Sequence, residues 1–243
     1  MTSRIVTGVF MLAAVLIVFF INSYILNFIL LGIVLYFAFC EALKLYGIEH
    51  KQLVFIALVF YSLTFFTNPI FIAMLAIMLV ASVLAHVKSQ SLSSVLPFIY
   101  PTTPIFMMWM LYSEYGLGYL VWLILSVAAS DTAAYFTGKA VGKHPFSPSS
   151  PNKTIEGVAG GVIAGTIVGT VCGNFVMDGF LQIIFTSFLV CVFAIWGDLF
   201  ESYLKRAGGV KDSGGLFPGH GGMLDRIDGY LFGVVALLWA LSW

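Results

Sequence analysis

Charge is what this sequence has least of. Only 9% of its 243 residues are Asp, Glu, Lys or Arg, against roughly 25% in an average soluble domain. The 11 basic and 11 acidic residues cancel, so there is no basic surplus with which to hold nucleic acid. Cysteine is scarce as well. Cys40, Cys172 and Cys191 are odd in number, far apart and set in apolar runs, which excludes a disulfide framework or a metal knuckle. Low-complexity linkers and repeats of 20–50 residues are absent too. What fills the chain is apolar: 60% of residues are hydrophobic and the mean hydropathy is +1.03. A water-soluble fold cannot hide that much apolar surface. The sequence therefore predicts an all-α, polytopic membrane protein forming a single membrane domain over residues 1–243.

A bilayer-spanning helix needs about 20 apolar residues. Runs between polar breaks give about nine: 5–21, 24–43, 52–67, 69–86, 95–112, 117–137, 155–177, 180–201 and 229–243. The first resembles a signal peptide, but no small-residue cleavage site follows it, so it is read as a retained helix. The third and fourth are short and divided only by Asn68-Pro69, which leaves eight as the alternative count. Pro97, Pro101 and Pro104 predict a kinked or partly non-helical first half for the fifth.

Charge placement tests the count independently. With nine spans and the N-terminus inside, Arg4, Lys44, Lys51, Lys88, Lys139, Lys143, Lys153, Lys205, Arg206, Lys211 and Arg226 all fall on one side. The opposite loops carry only acids such as Glu114 and Asp178. The positive-inside rule makes the basic side cytoplasmic. Span seven also carries Gly157, Gly161, Gly165, Gly169 and Gly173 at every fourth position. Such a stripe lets helix backbones approach closely in lipid, and a ligand-facing groove is the other reading.

The few charges are concentrated. Residues 198–228 hold nine of the 22, and ionisable groups at membrane depth usually face a polar interior, pathway or partner. Asp131 lies late in span six. Asp198 and Glu201 share a helix face at the end of span eight, and Asp225 and Asp228 repeat that spacing at the entry to span nine. Converging carboxylates suit Mg²⁺, which takes one or two of them together with substrate phosphate oxygens. The bland alternative pairs them with Lys205, Arg206 and Arg226 at the interface.

Between these acids, Lys205 to Gly222 contains seven glycines in 18 residues. Exposed backbone N–H groups with Lys and Arg nearby suit a polyphosphate; a flexible, positively charged connector is the plainer reading. His220, between Gly219 and Gly221, is either a phosphate contact or proton donor, or a turn residue. No P-loop is present: Gly138 to His144 has the wrong spacing and lacks Ser or Thr after Lys143. His50, His86 and His144 lack metal-ligand spacing, and no Ser-His-Asp or Cys-His arrangement follows.

The stretches Ser202-Tyr203-Leu204-Lys205-Arg206, Lys211-Asp212, Leu216-Phe217-Pro218-Gly219-His220-Gly221-Gly222 and Asp225-Arg226-Ile227-Asp228 strongly resemble the signature of phosphatidate cytidylyltransferases, the CDP-diacylglycerol synthases. Upstream, Ser130-Asp131-Thr132 through Gly138-Lys139, Gly142-Lys143 and Ser150-Pro151-Asn152-Lys153-Thr154-Ile155-Glu156-Gly157 are similar to the same family. These motifs cover about residues 126–229, the expected catalytic part; the first 95 residues add only apolar spans.

The resemblance implies that CTP and phosphatidic acid give CDP-diacylglycerol and pyrophosphate at the cytoplasmic face of the cell's inner membrane. It implies Mg²⁺ held by Asp198 and Asp225, with Asp131 and Asp228 as further catalytic acids. Lys153, Ser202, Lys205, Arg206, Lys211, His220 and Arg226 are then expected to bind the substrates. A second, monovalent cation such as K⁺ and a homodimer are family associations that spacing cannot supply.

Two neighbouring activities are weighed against it. Asp225 to Gly229 opens the motif of CDP-alcohol phosphatidyltransferases, but Phe232-Gly233 stands where Ala-Arg is needed, and no acid follows Asp228. A cytidylyltransferase for another lipid phosphate would use the same phosphate chemistry. A transporter could also bury carboxylates at helix ends, but the long basic glycine-rich loop and the lack of internal two-fold repeats argue against it.

Overall fold

The computed structural model describes residues 17, 19–89 and 91–243. Among the described residues the α-helices are α1 (Tyr24–Leu45), α2 (Leu53–Leu63), α3 (Pro69–His86), α4 (Thr103–Met110), α5 (Leu117–Val141), α6 (Ile155–Gly173), α7 (Phe180–Ala207) and α8 (Leu224–Leu241). Short helical turns precede and follow α4: Ser93–Val95, Phe98–Thr102 and Leu111–Tyr115. The fold is that of an all-α polytopic membrane protein.

Among the described residues, six segments are long and apolar enough to cross a membrane: α1, α3, Ser93–Tyr115, α5, α6 and α7. The third expected span is an 11-residue apolar helix, α2. The ninth is α8, whose 18 residues begin among Asp225, Arg226 and Asp228. Nearly all of the first expected span lies outside the described residues. The fifth is interrupted as its prolines demand, with Tyr100 outside helical backbone geometry and Pro101 inside the turn.

One feature escaped the apolar pattern. Strands β1 (Pro145–Ser147) and β2 (Ser150–Thr154) form an antiparallel hairpin between α5 and α6. Its sequence is polar and proline-containing, so neither hydropathy nor strand alternation marks it.

The chain packs as two compact units. The first comprises the described residues up to Ser113 together with Ala207–Arg226; the second comprises Glu114–Arg206 and Ile227–Trp243. In the first, Phe39 and Leu43 of α1 pack with Val54 and Ala57 of α2, Ala76 and Val80 of α3, and Val95 and Phe98. Polar side chains there find partners: Tyr61 Oη donates to Phe28 O at 2.8 Å and Trp109 Nε1 to Thr64 O at 3.1 Å. In a lipid-facing bundle an unmet donor costs several kcal/mol, so these bonds fix the helices in place.

In the second unit, α6 lies flush against α5. All five stripe glycines are buried. A Cβ on Gly157 would come within 2.8 Å of Ala134 O, on Gly161 within 2.7 Å of Ser130 O, and on Gly165 within 2.8 Å of Ser126 O. Backbone meets backbone, so the stripe is a packing surface, as small residues at this spacing provide. Its partner strip, Ser126 to Ala134, carries Asp131. Trp122 Nε1 donates to Ser187 Oγ at 3.0 Å, tying α5 to α7.

Candidate active site

In the second unit the charged groups sit toward helix ends. The hairpin is anchored at both feet. Thr154 Oγ1 accepts from Gly157 N at 3.1 Å and caps α6. Glu156, in the first turn of α6, accepts from Lys143 N at 3.1 Å and His144 N at 3.3 Å, and meets His144 Nδ1 at 2.6 Å. This frame holds Lys153, whose ammonium makes an ion pair with Asp198 Oδ2. Ser202, one turn along α7, lies 3.4 Å from Asp198 Oδ1.

Glu201 is fully buried and pairs with Lys205 one turn on. The Asp228 carboxylate accepts from its neighbour Gly229 N at 2.8 Å and lies within electrostatic reach of Asp198, Glu201 and Asp131. Gly197 makes this convergence of α7 and α8 feasible. A Cβ there would lie 2.5 Å from Asp228 O and 3.1 Å from Phe232 Cβ. Four acids therefore share one electrostatic neighbourhood, countered by two lysines.

In the first unit a second cluster is built on Asp225. Its Oδ2 accepts from Ser213 N at 2.9 Å, Ser213 Oγ at 2.9 Å and Gly222 N at 2.7 Å. Beneath it stands Glu41 of α1, only 5% exposed. Glu41 Oε1 accepts from Met223 N at 2.9 Å and Oε2 from Leu224 N at 2.8 Å; Ser213 Oγ also lies 2.9 Å from Oε2, its one proton open to either carboxylate. The loop closes above through a tight turn: Phe217 N donates to Gly221 O at 2.9 Å and His220 N to Phe217 O at 2.8 Å. Gly221 holds φ +82°, and a Cβ there would lie 2.5 Å from Asp225 Oδ2.

The structure thus leaves Asp228 within electrostatic reach of Asp198 and Asp131, with Lys153 paired to Asp198 and Lys205 to Glu201. Asp225, in the first unit, accepts from backbone amides and a serine. His220 occupies the turn, with its Nδ1 covered and without a hydrogen-bond partner among the described residues. Arg206, Lys211 and Arg226 are solvent-exposed. Glu41 and Ser213 were missed by the sequence reading. The signal was nonetheless present, since a lone carboxylate in an apolar run is by default a functional candidate.

No three Asp, Glu, His or Cys side chains among the described residues form a metal cage.

A chain of this many long apolar helices is a polytopic membrane protein. The chain belongs to the cytidylyltransferase family, whose model matches residues 2–243. It is 39% identical to the phosphatidate cytidylyltransferases of two Helicobacter pylori strains, over 97% of this chain and 90% of each relative. The phosphatidate cytidylyltransferase of Bacillus subtilis is also 39% identical, over 53% of this chain and 49% of its own length.

Proposed function

We propose that this chain is a phosphatidate cytidylyltransferase, making CDP-diacylglycerol and pyrophosphate from CTP and phosphatidic acid. The observation that carries this reading is full-length similarity to enzymes of that name. In the reaction, a phosphatidate phosphate oxygen bonds to the α-phosphorus of CTP. The bond from that phosphorus to the bridging oxygen breaks, and pyrophosphate leaves with the electron pair.

The nucleophile is already an anion, so no activated serine or cysteine is required. The obstacle is repulsion between anions, which fixed positive groups and correct placement reduce. Mg²⁺, when bound, would screen the phosphates and polarise the phosphorus that is attacked. Asp198 and Asp225 are its expected ligands. They belong to different packing units, and the assignment rests on the motifs they occupy. Lys153 is poised to exchange Asp198 for a phosphate oxygen, because an ammonium on a flexible stem can turn between two anionic partners. Ser202, Lys205, Arg206, Lys211, His220 and Arg226 complete the expected binding set for triphosphate and lipid headgroup. Asp131 and Asp228 would ligate the metal as well, or orient water and these basic groups. A monovalent cation, a second copy of the chain and a cytoplasmic site in the inner membrane belong to the same reading.

The test is CTP-dependent conversion of phosphatidic acid by detergent-purified protein with Mg²⁺, beside other lipid phosphates. CDP-diacylglycerol and pyrophosphate in equal amounts support the reading. Turnover only with a different lipid phosphate would move the substrate, and none with any would remove the activity.

A further inference from the structure

Glu41 is a buried carboxylate far from every sequence motif, yet all three of its hydrogen-bond donors belong to the glycine-rich loop and the start of α8. Ser213 Oγ, Met223 N and Leu224 N converge on its two oxygens at 2.8–2.9 Å. A buried charge is tolerable only when so satisfied. The loop is in turn shaped around it: a Cβ on Gly214 or Gly222 would run into the Glu41 carboxylate.

These bonds interlock with those of Asp225. The successive amides of Gly222, Met223 and Leu224 go to Asp225, Glu41 and Glu41 respectively. Ser213 Oγ stands 2.9 Å from both Glu41 Oε2 and Asp225 Oδ2. A hydroxyl has one proton and can donate to one carboxylate at a time. Ser213 is thereby held between two anions, with Asp225 N at 3.4 Å on its oxygen.

We propose that Glu41 is a positioning residue: through Ser213 and the first amides of α8 it clamps the loop and fixes the orientation in which Asp225 is presented. It acts on the reaction through Asp225, so this inference rests on the assignment of Asp225 to the catalytic machinery.

The test uses Glu41→Gln, which keeps the size but sets an amide NH₂ against donors. Exposed Glu49→Gln is the control. Hydrogen exchange on the ligand-free, detergent-purified protein reads the loop directly. The Met223 and Leu224 amides should exchange about 10-fold faster, as a lost bond of roughly 1.4 kcal/mol would allow. In turnover, kcat should fall by about 10²-fold, the scale of a misplaced catalytic group, while KM for phosphatidic acid stays unchanged. The double variant with Ser213→Ala should lose less than the product of the single losses, because both act through one hydroxyl.

Unaltered exchange in Glu41→Gln, or losses that multiply fully with Ser213→Ala, would overturn the proposal. If Glu41→Gln does not fold, Ser213→Ala decides alone: faster exchange at Met223 and Leu224 with lowered kcat supports it, and wild-type values overturn it. Wild-type protein that makes no CDP-diacylglycerol would sink the functional reading, whereas the exchange result would still decide whether Glu41 holds the loop.

Discussion

The acids of the two packing units are balanced by different kinds of partner. Asp225 and Glu41 meet backbone N–H groups and a serine. Asp198 and Glu201 meet the ammonium groups of Lys153 and Lys205. Amide dipoles are fixed to the chain and cannot leave. An ammonium on four methylenes can swing to a better anion. In the first unit these carboxylates are held by groups fixed to the chain, whereas in the second they face ammonium groups that can move.

The sharpest way to break this comparison is Asp225→Asn. The expected loss of turnover is about 10³-fold, since an expected Mg²⁺ ligand would lose its charge; survival of activity would return Asp225 to a purely structural role. Lys205→Met comes next. It leaves fully buried Glu201 without its lysine, and breaking a buried pair costs about 3 kcal/mol, read as a lowered Tm in detergent. A Tm like that of wild type would mean that the other contacts of Glu201 suffice.

Gly197→Ala should cost about 2 kcal/mol by pushing α8 off α7, the usual scale of overpacking. Its signature is a parallel fall in Tm and activity. Lys153→Met should be mildest for the fold, because Lys153 and Asp198 are both partly exposed at 27% and 29%. The expected effect is a rise in KM for CTP by about 10-fold, the worth of one charge-assisted contact, with Tm little changed. A Tm loss as large as that of Lys205→Met would erase the distinction between exchangeable and buried lysines.

Much of this arrangement was legible before any coordinates. Long apolar runs have few physical outcomes, and α1, α3, α5, α6 and α7 begin within a residue of their expected positions. Spacing of three residues placed Asp198 and Glu201 one turn apart on α7, and three prolines announced the interrupted segment around Tyr100. The hairpin at Pro145–Thr154 was invisible because polar strands of three and five residues lack a hydrophobic period. Glu41 was passed over for a different reason. It stands in Phe39-Cys40-Glu41-Ala42, amid residues that read as core, and its partners are 172 to 183 positions away. Local pattern carries no information at that range.

That separation also has a meaning in time. Glu41 is synthesised 183 residues before Leu224. At ribosomal rates of roughly 5–20 residues per second, about 10–40 s pass between them. Until Ser213 is made, 172 residues on, the carboxylate at the end of α1 has none of the donors that the described residues give it. The start of α8 thus relieves a charge installed at α1 long before it is made, and the contact opened there stays open until that point.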